Sequence, residues 1–295
     1  MEKRGLSQEA LKAIACVTML LDHIGAIFVS GYTLRIIGRI AFPIFCFLMA
    51  EGAYYTKNPR KYACRLVVGA LLSEIPFDLA FRRSLTVQTQ SVMVTLLLGF
   101  LAIEAIQKTD SGIIKFVITA IGFLLGWFFK TDYGGYGVLL IILLSQTRGQ
   151  WWLQTILVAV VAWMMNSAKI PFFGIKIPIE MFAVLAMIPI GLYSGKKASG
   201  SKVVQWAFYL FYPVHLTVLV CIRYLIEMKI IEEIPGSHQH EPGKILHVEQ
   251  EVYNVAVFHD VFLAFAAHQT LGLGVCHGAA GLHILKGNDL STDKA

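Results

Sequence analysis

The sequence predicts an all-α fold: a polytopic integral membrane bundle of about nine transmembrane helices with a cytoplasmic N-terminus. Three observations predict it. The 295 residues are 56% hydrophobic and only 15% charged, with a mean hydropathy of +0.64. A soluble domain of this length needs more polar surface than that composition supplies. The apolar residues come in runs near the roughly 20 positions that a helix needs to cross hydrocarbon. The Lys and Arg residues are scattered between those runs, which suits cytoplasmic membrane loops. The net charge is +6, yet no stretch interleaves basic and aromatic residues as a nucleic-acid surface would. The expected partner is the lipid bilayer, not nucleic acid, and the expected location is the cell membrane, crossed several times.

The runs fall near 9–30, 36–55, 62–82, 91–107, 112–129, 134–147, 151–167, 177–194 and 203–226. The first follows a charged start, "MEKRGLSQEALKAIACVTML". No small-residue cleavage site ends it, and Asp22 and His23 interrupt it, so it reads as a retained helix, not a signal peptide. The second opens as "LRIIGRIAFPIFCFLMAEGAYYT", with Pro43 placed to kink it. The third carries "SEIPFDLAF", again with a proline inside. The sixth and seventh are short enough to be tilted or re-entrant. Separators such as "TKNPRK", "KTDSG", "QTRGQ" and "SGKKASGSK" break the runs where loops are needed.

Orientation follows from the cations. With the N-terminus inside, Lys57, Arg60, Lys61, Lys108, Lys115, Arg148, Lys196 and Lys197 lie on the inner side. Arg82, Arg83, Lys130, Lys169 and Lys176 lie on the outer side. The inner excess sets the N-terminus in the cytoplasm.

The character changes after residue 229. Residues 1–229 form the membrane domain, and 230–295 form an extension that holds seven of the nine histidines and no arginine. It shows no HExxH and no Cys–His pairing, so no metal is expected there.

Ionisable groups inside a span cost a few kcal/mol each, roughly 2.5–3.5 at a helix centre, and persist when paired or functional. Span one carries Lys12 and His23, eleven positions apart. On a helix they return to nearly one face, separated by ~16 Å along the axis. A cation near the inner interface and an imidazole deep in the bilayer then look into one cavity. That geometry suits an elongated anion with its reacting end at His23, the side chain best poised to take and return a proton near neutral pH. The competing readings are that Lys12 snorkels to the interface and that His23 makes an interhelical hydrogen bond. Asp22 points about 100° away from His23 and reads as an ion-pair partner for an arginine on another span.

In span two, Arg35 and Arg39 stand i, i+4 on one face, able to hold a carboxylate, a phosphate or a developing oxyanion. In span three, Glu74 and Asp78 have the same spacing around Pro76. Two readings stand side by side: they neutralise Arg39 and Arg35, or they act as a general base or amine-binding pair. In span nine, "LFYPVHL" sets Tyr212 and His215 i, i+3 about Pro213, as a second site element or as packing at a proline kink. "KTDYGGYG" reads as an outer turn that leads into span six; Asp132 and Tyr133 either face the cavity mouth or simply belong to a tight glycine turn, and the sequence favours neither.

Five blocks, "LKAIACVTMLLDHIGAIF", "LRIIGRIAFPIFCFLMAEGAYYT", "KYACRLVVGALLSEIPFDLAF", "DYGGYGVLLI" and "FYPVHL", together resemble the TraX family over about residues 8–228. The namesake of that family acts in conjugation and is associated with N-terminal acetylation of pilin. The family is similar, more distantly, to acyltransferase-3-type membrane acyltransferases. Those carry a basic residue, ten arbitrary residues and a histidine in their first helix, a spacing that Lys12 and His23 satisfy. The resemblance implies acetyl-CoA as donor, Lys12 near its phosphates and His23 as the catalytic residue.

The leading expectation is an integral membrane acetyltransferase. It would move an acetyl group from acetyl-CoA to an amine or hydroxyl on a pilin-like exported protein or a surface glycan. Its site set is His23, Arg39, Glu74 and Asp78 for chemistry, Lys12 and Arg35 for the donor, and Asp22, Tyr212 and His215 beside them. The alternatives are a proton-coupled transporter, which buried Asp, Glu and His would serve, and a non-catalytic assembly factor for a surface structure.

Overall fold

A computed structural model describes residues 5–233, apart from 30, 86–87, 166, 173 and 196–201. The extension predicted from residue 230 lies outside the described residues beyond 233. The described chain is predominantly helical. Three helical stretches are long and apolar enough to cross a membrane: Gln8–Ile27, Thr33–Tyr55 and Trp206–Lys229.

Helix α1 runs Gln8–Ile27; the Ser7 side chain caps it by accepting from the Ala10 N–H at 3.1 Å. The second expected span is two helices, α2 (Thr33–Gly38) and α3 (Ala41–Tyr55). The break at Arg39 and Ile40 has a cause in sequence. Pro43 lacks the N–H that would bond the Arg39 carbonyl, and its ring crowds that carbonyl. Helix α4 (Pro59–Phe81) starts with Asn58 Oδ1 accepting from the Lys61 N–H at 3.0 Å and a proline in its first turn.

Helices α5 (Val92–Ile106), α6 (Gly112–Phe128), α7 (Gly134–Gln146) and α8 (Trp151–Met164) follow. A two-stranded antiparallel hairpin comes next, β1 (Lys169–Phe172) with β2 (Ile175–Pro178). The stretch expected as a helix over 177–194 differs from expectation. It begins in β2, tightens into a 3-10 helix over Ile179–Ala186, and ends in the single-turn helix α9 (Met187–Gly191). The 3-10 rise is larger per residue, so Ile179–Gly191 extends roughly 23 Å in few residues. Helix α10 spans Lys202–Glu233 through an internal Pro213.

The core lies where α3 packs on α1, α5 and α7. Leu11, Ile44, Cys46, Phe100, Ile103, Ile141, Leu144 and Leu216 are fully buried there. Small residues let the backbones approach: a Cβ on Gly99 would meet Ile141 Cδ1 at 2.6 Å, and one on Gly126 would meet the Gly134 carbonyl at 2.7 Å. Large apolar side chains face outward instead, including Ile113, Phe116, Leu124 and Phe128 of α6. Exposed Trp151 and Trp152 begin α8, and exposed Trp163 lies near its end. Indole rings at both ends of a short apolar helix are what two membrane–water interfaces select.

Candidate functional site

A cavity of about 1300 Å³ runs through the bundle. Its wall includes Gln8 at the start of α1 and Ala26 near its end, so it follows almost the whole helix. That volume exceeds the roughly 300–1,000 Å³ of ordinary small-molecule sites. Lys12, Asp22, His23, Arg35, Arg39 and Tyr212 all stand on its wall.

The charged half of the wall is an ion-pair network. Asp22 accepts from Arg35 Nη1 at 2.7 Å through Oδ2 and from Arg39 Nη2 at 2.5 Å through Oδ1. Arg39 Nη1 reaches Glu180 Oε1 at 2.6 Å, and Arg39 Nε donates to the Arg35 carbonyl at 3.3 Å. The break between α2 and α3 places Arg39 at this junction. Gly38 leaves the space: a Cβ there would fall onto the Asp22 side chain. Two carboxylates and two guanidiniums thus neutralise one another, and all three Arg39 nitrogens are engaged. Asp132, in the turn before α7, lies on the cavity wall and is exposed to the cavity, with protein mass around that cavity on every side. Desolvation pushes its carboxyl up to about 6, with Asp22 and Glu180 adding to the rise and Arg39 and Arg35 opposing it.

The imidazole half is a directed chain of hydrogen bonds. His215 Nδ1 lies 2.6 Å from the Phe211 carbonyl oxygen. A carbonyl only accepts, so Nδ1 of His215 carries the proton and its Nε2 has the lone pair. His23 Nδ1 lies 2.6 Å from that Nε2, so His23 donates there and keeps Nε2 as its own lone-pair nitrogen. The two rings lie edge to edge and within 6° of parallel, with centroids 4.9 Å apart, and Tyr212 and Phe81 lie edge-on to His23. Such a chain fixes both the tautomer and the orientation of His23.

A family model described as "TraX protein" matches residues 7–223. The chain belongs to the TraX family. It is 30% identical over 246 residues to the "Probable fimbrial assembly protein FimC, serogroup H1" of Dichelobacter nodosus, covering 74% of this chain and 96% of that one. It is 32% identical over 93 residues to the "Uncharacterized protein RP591" of Rickettsia prowazekii (strain Madrid E), which covers 31% of this chain and 34% of the other. No solved structure matches the chain. The TraX match includes every residue of the site, from Lys12 to His215.

The structure corrects one predicted set. Glu74 and Asp78 are absent from the cavity wall, and they do not neutralise Arg35 and Arg39; Asp22 and Glu180 do that. Glu74 instead accepts from the Ser91 N–H at 3.0 Å, where α5 begins. Asp78 is buried on α4. The i, i+4 spacing put both carboxylates on one face of α4, and Glu74 on that face meets the start of α5.

Lys12 reaches over the Phe208 ring, its Nζ 5.3 Å from the centroid. Arg35 and Arg39 stay on the wall in the network, and His215 sits behind His23. Glu180 and Arg65 both sit on the wall; sequence reasoning saw each as an ionisable residue inside a span and gave neither a role. Glu180 binds a residue 141 positions away, a pairing that no spacing rule reaches. Among the described residues, no group of three or more His, Cys, Asp or Glu side chains is placed to hold a metal ion.

Proposed function

We propose that this TraX-family protein is an integral membrane acetyltransferase that moves an acetyl group from acetyl-CoA to an amine or hydroxyl of an exported protein or surface glycan. The observation that carries the reading is the chain from the Phe211 carbonyl through His215 to His23 on a cavity wall. The lone pair at His23 Nε2 takes the acceptor's proton as its nitrogen or oxygen attacks the thioester carbonyl. The new C–N or C–O bond forms, the C–S bond breaks, and the proton passes from His23 to the departing thiolate. The bond to His215 stabilises the imidazolium between those two events. The length of the cavity supports bringing donor and acceptor from opposite ends of the bundle.

The proposed topology has nine spans: α1, α2 with α3, α4, α5, α6, α7, α8, the stretch Ile179–Gly191, and α10. The cation bias supports a cytoplasmic N-terminus and donor access from that side.

The test is transfer from radiolabelled acetyl-CoA in reconstituted vesicles, with exported proteins and surface glycans as acceptors. The wild-type protein labels an acceptor, and His23→Ala loses about 10²–10⁴-fold in rate while inserting normally. Unchanged turnover in a folded His23→Ala variant rejects the chemistry. The printed name of the Dichelobacter nodosus relative favours a second reading, a non-catalytic assembly factor for fimbriae. On that reading, His23→Ala restores surface structures to a deletion strain as well as the wild-type gene does.

A further inference from the structure

The cavity has a second cationic station, at the end opposite the Asp22 network. Arg65, on α4, stands on the wall between two tyrosine rings, its guanidinium carbon 5.4 Å from the centroid of Tyr62 and 5.5 Å from that of Tyr209. Both tyrosines also line the cavity. Arg35 and Arg39 are matched by carboxylates, whereas Arg65 makes no ion pair with any described residue. Its Nε is buried and has no hydrogen-bond partner. A guanidinium is always charged and presents a planar fork of donors that fits phosphate. The Tyr209 hydroxyl accepts from the guanidinium and the two ring faces flank it, and neither neutralises its charge.

The neighbouring residue on α10, Phe208, carries Lys12 over its ring. Two cations are therefore set by consecutive aromatic residues at one level of α10. His215, which orients His23 of α1, lies on the same helix under two turns further on, roughly 9 Å along the axis from Tyr209.

We propose that Arg65, with Tyr62 and Tyr209, forms an anion subsite for the phosphate-bearing head of the acyl donor. Resting on the acetyltransferase reading, the subsite anchors the donor's phosphates at the inner end of the cavity and lets its thioester arm extend towards His23. Arg39 is excluded from that task because carboxylates occupy it. Arg65 acts in binding and touches none of the reacting atoms.

The experiment is equilibrium binding to the full chain in nanodiscs, with coenzyme A, ADP and inorganic pyrophosphate as separate probes. Wild type binds coenzyme A, ADP competes for it, and affinity falls with salt. Arg65→Gln weakens coenzyme A at least tenfold and flattens the salt dependence. Arg65→Lys, which keeps the charge and loses the fork, weakens it by at least threefold. His23→Ala stays within twofold of wild type. If Arg65→Gln fails to fold, Arg65→Lys is read alone.

Equal affinity of wild type and the folded Arg65 variant for coenzyme A overturns the subsite and leaves the acetyltransferase reading intact. Arg65-dependent binding of pyrophosphate without binding of coenzyme A supports the subsite and rejects that donor. Wild type that binds none of the three anions overturns the subsite.

Discussion

Asp22 and His23 are adjacent and do opposite things. Asp22 is the anion that two guanidiniums share, and removing it leaves Arg35 and Arg39 short of a carboxylate at a buried site. Breaking a buried pair in this way costs about 3–5 kcal/mol. Asp22→Ala is therefore expected to lower the monodisperse yield in detergent severalfold, measured by size-exclusion chromatography. His23→Ala leaves no full charge unpaired and keeps its yield.

Asp132 adds a pH dependence whose sign follows from its raised carboxyl. The folded protein holds that proton up to about pH 6, whereas an unfolded aspartic acid releases it near 4. Its contribution to stability is thus present below pH 4 and lost as pH rises through 6. Asp132→Asn should raise Tm at pH 7.5 and leave it nearly unchanged at pH 4, by thermal unfolding in detergent. An equal shift at both pH values refutes the assignment to this group.

At the scale of elements, Gly38 lets α2 close on α1. Gly38→Ala sets a methyl group on the Asp22 side chain and overpacks the junction by about 1–3 kcal/mol. The expected outcome is a lower Tm with the acceptor specificity unchanged, read by thermal unfolding and transfer assays.

The helices themselves were legible because apolar runs and charged separators mark them locally. Hydropathy put the starts of α1 and α4 near 9 and 62, and the Ser7 and Asn58 caps set them at Gln8 and Pro59. The Pro43 kink was legible too, and its outcome is an interruption at Arg39 and Ile40 where the backbone stays in the right-handed helical region. What the sequence hid is of two kinds. The hairpin and the 3-10 stretch that place Glu180 sit inside a run whose hydropathy reads as one more helix. The partnerships Arg39–Glu180 and His23–His215 join distant segments, so periodicity on one helix cannot find them. Glu74 and Asp78 failed for the same reason: a shared face on α4 says nothing about which neighbour that face meets.

For the whole molecule, the proposed function has the donor enter from the cytoplasm, the side that the cation bias gives to the N-terminus. Single cysteines in a cysteine-free background test this. One at Lys61 should resist an impermeant thiol reagent in intact cells, and one at Arg83, beyond the far end of α4, should react. The reverse pattern would invert the bundle and move the Arg65 station to the wrong side for a cytosolic thioester.

The histidine chain ends on the Phe211 backbone carbonyl, and that ending has an energetic consequence for the cell. An imidazole pair that terminated on a carboxylate or on water would be one segment of a conduction path between compartments. A peptide oxygen takes no proton to pass on, so charge collected at His23 returns to the space it came from. On the proposed chemistry, a proton then moves within one turnover without short-circuiting the membrane. Vesicles containing it should hold an imposed pH gradient as long as empty ones, and acetyl transfer should continue at the same rate when a protonophore collapses that gradient.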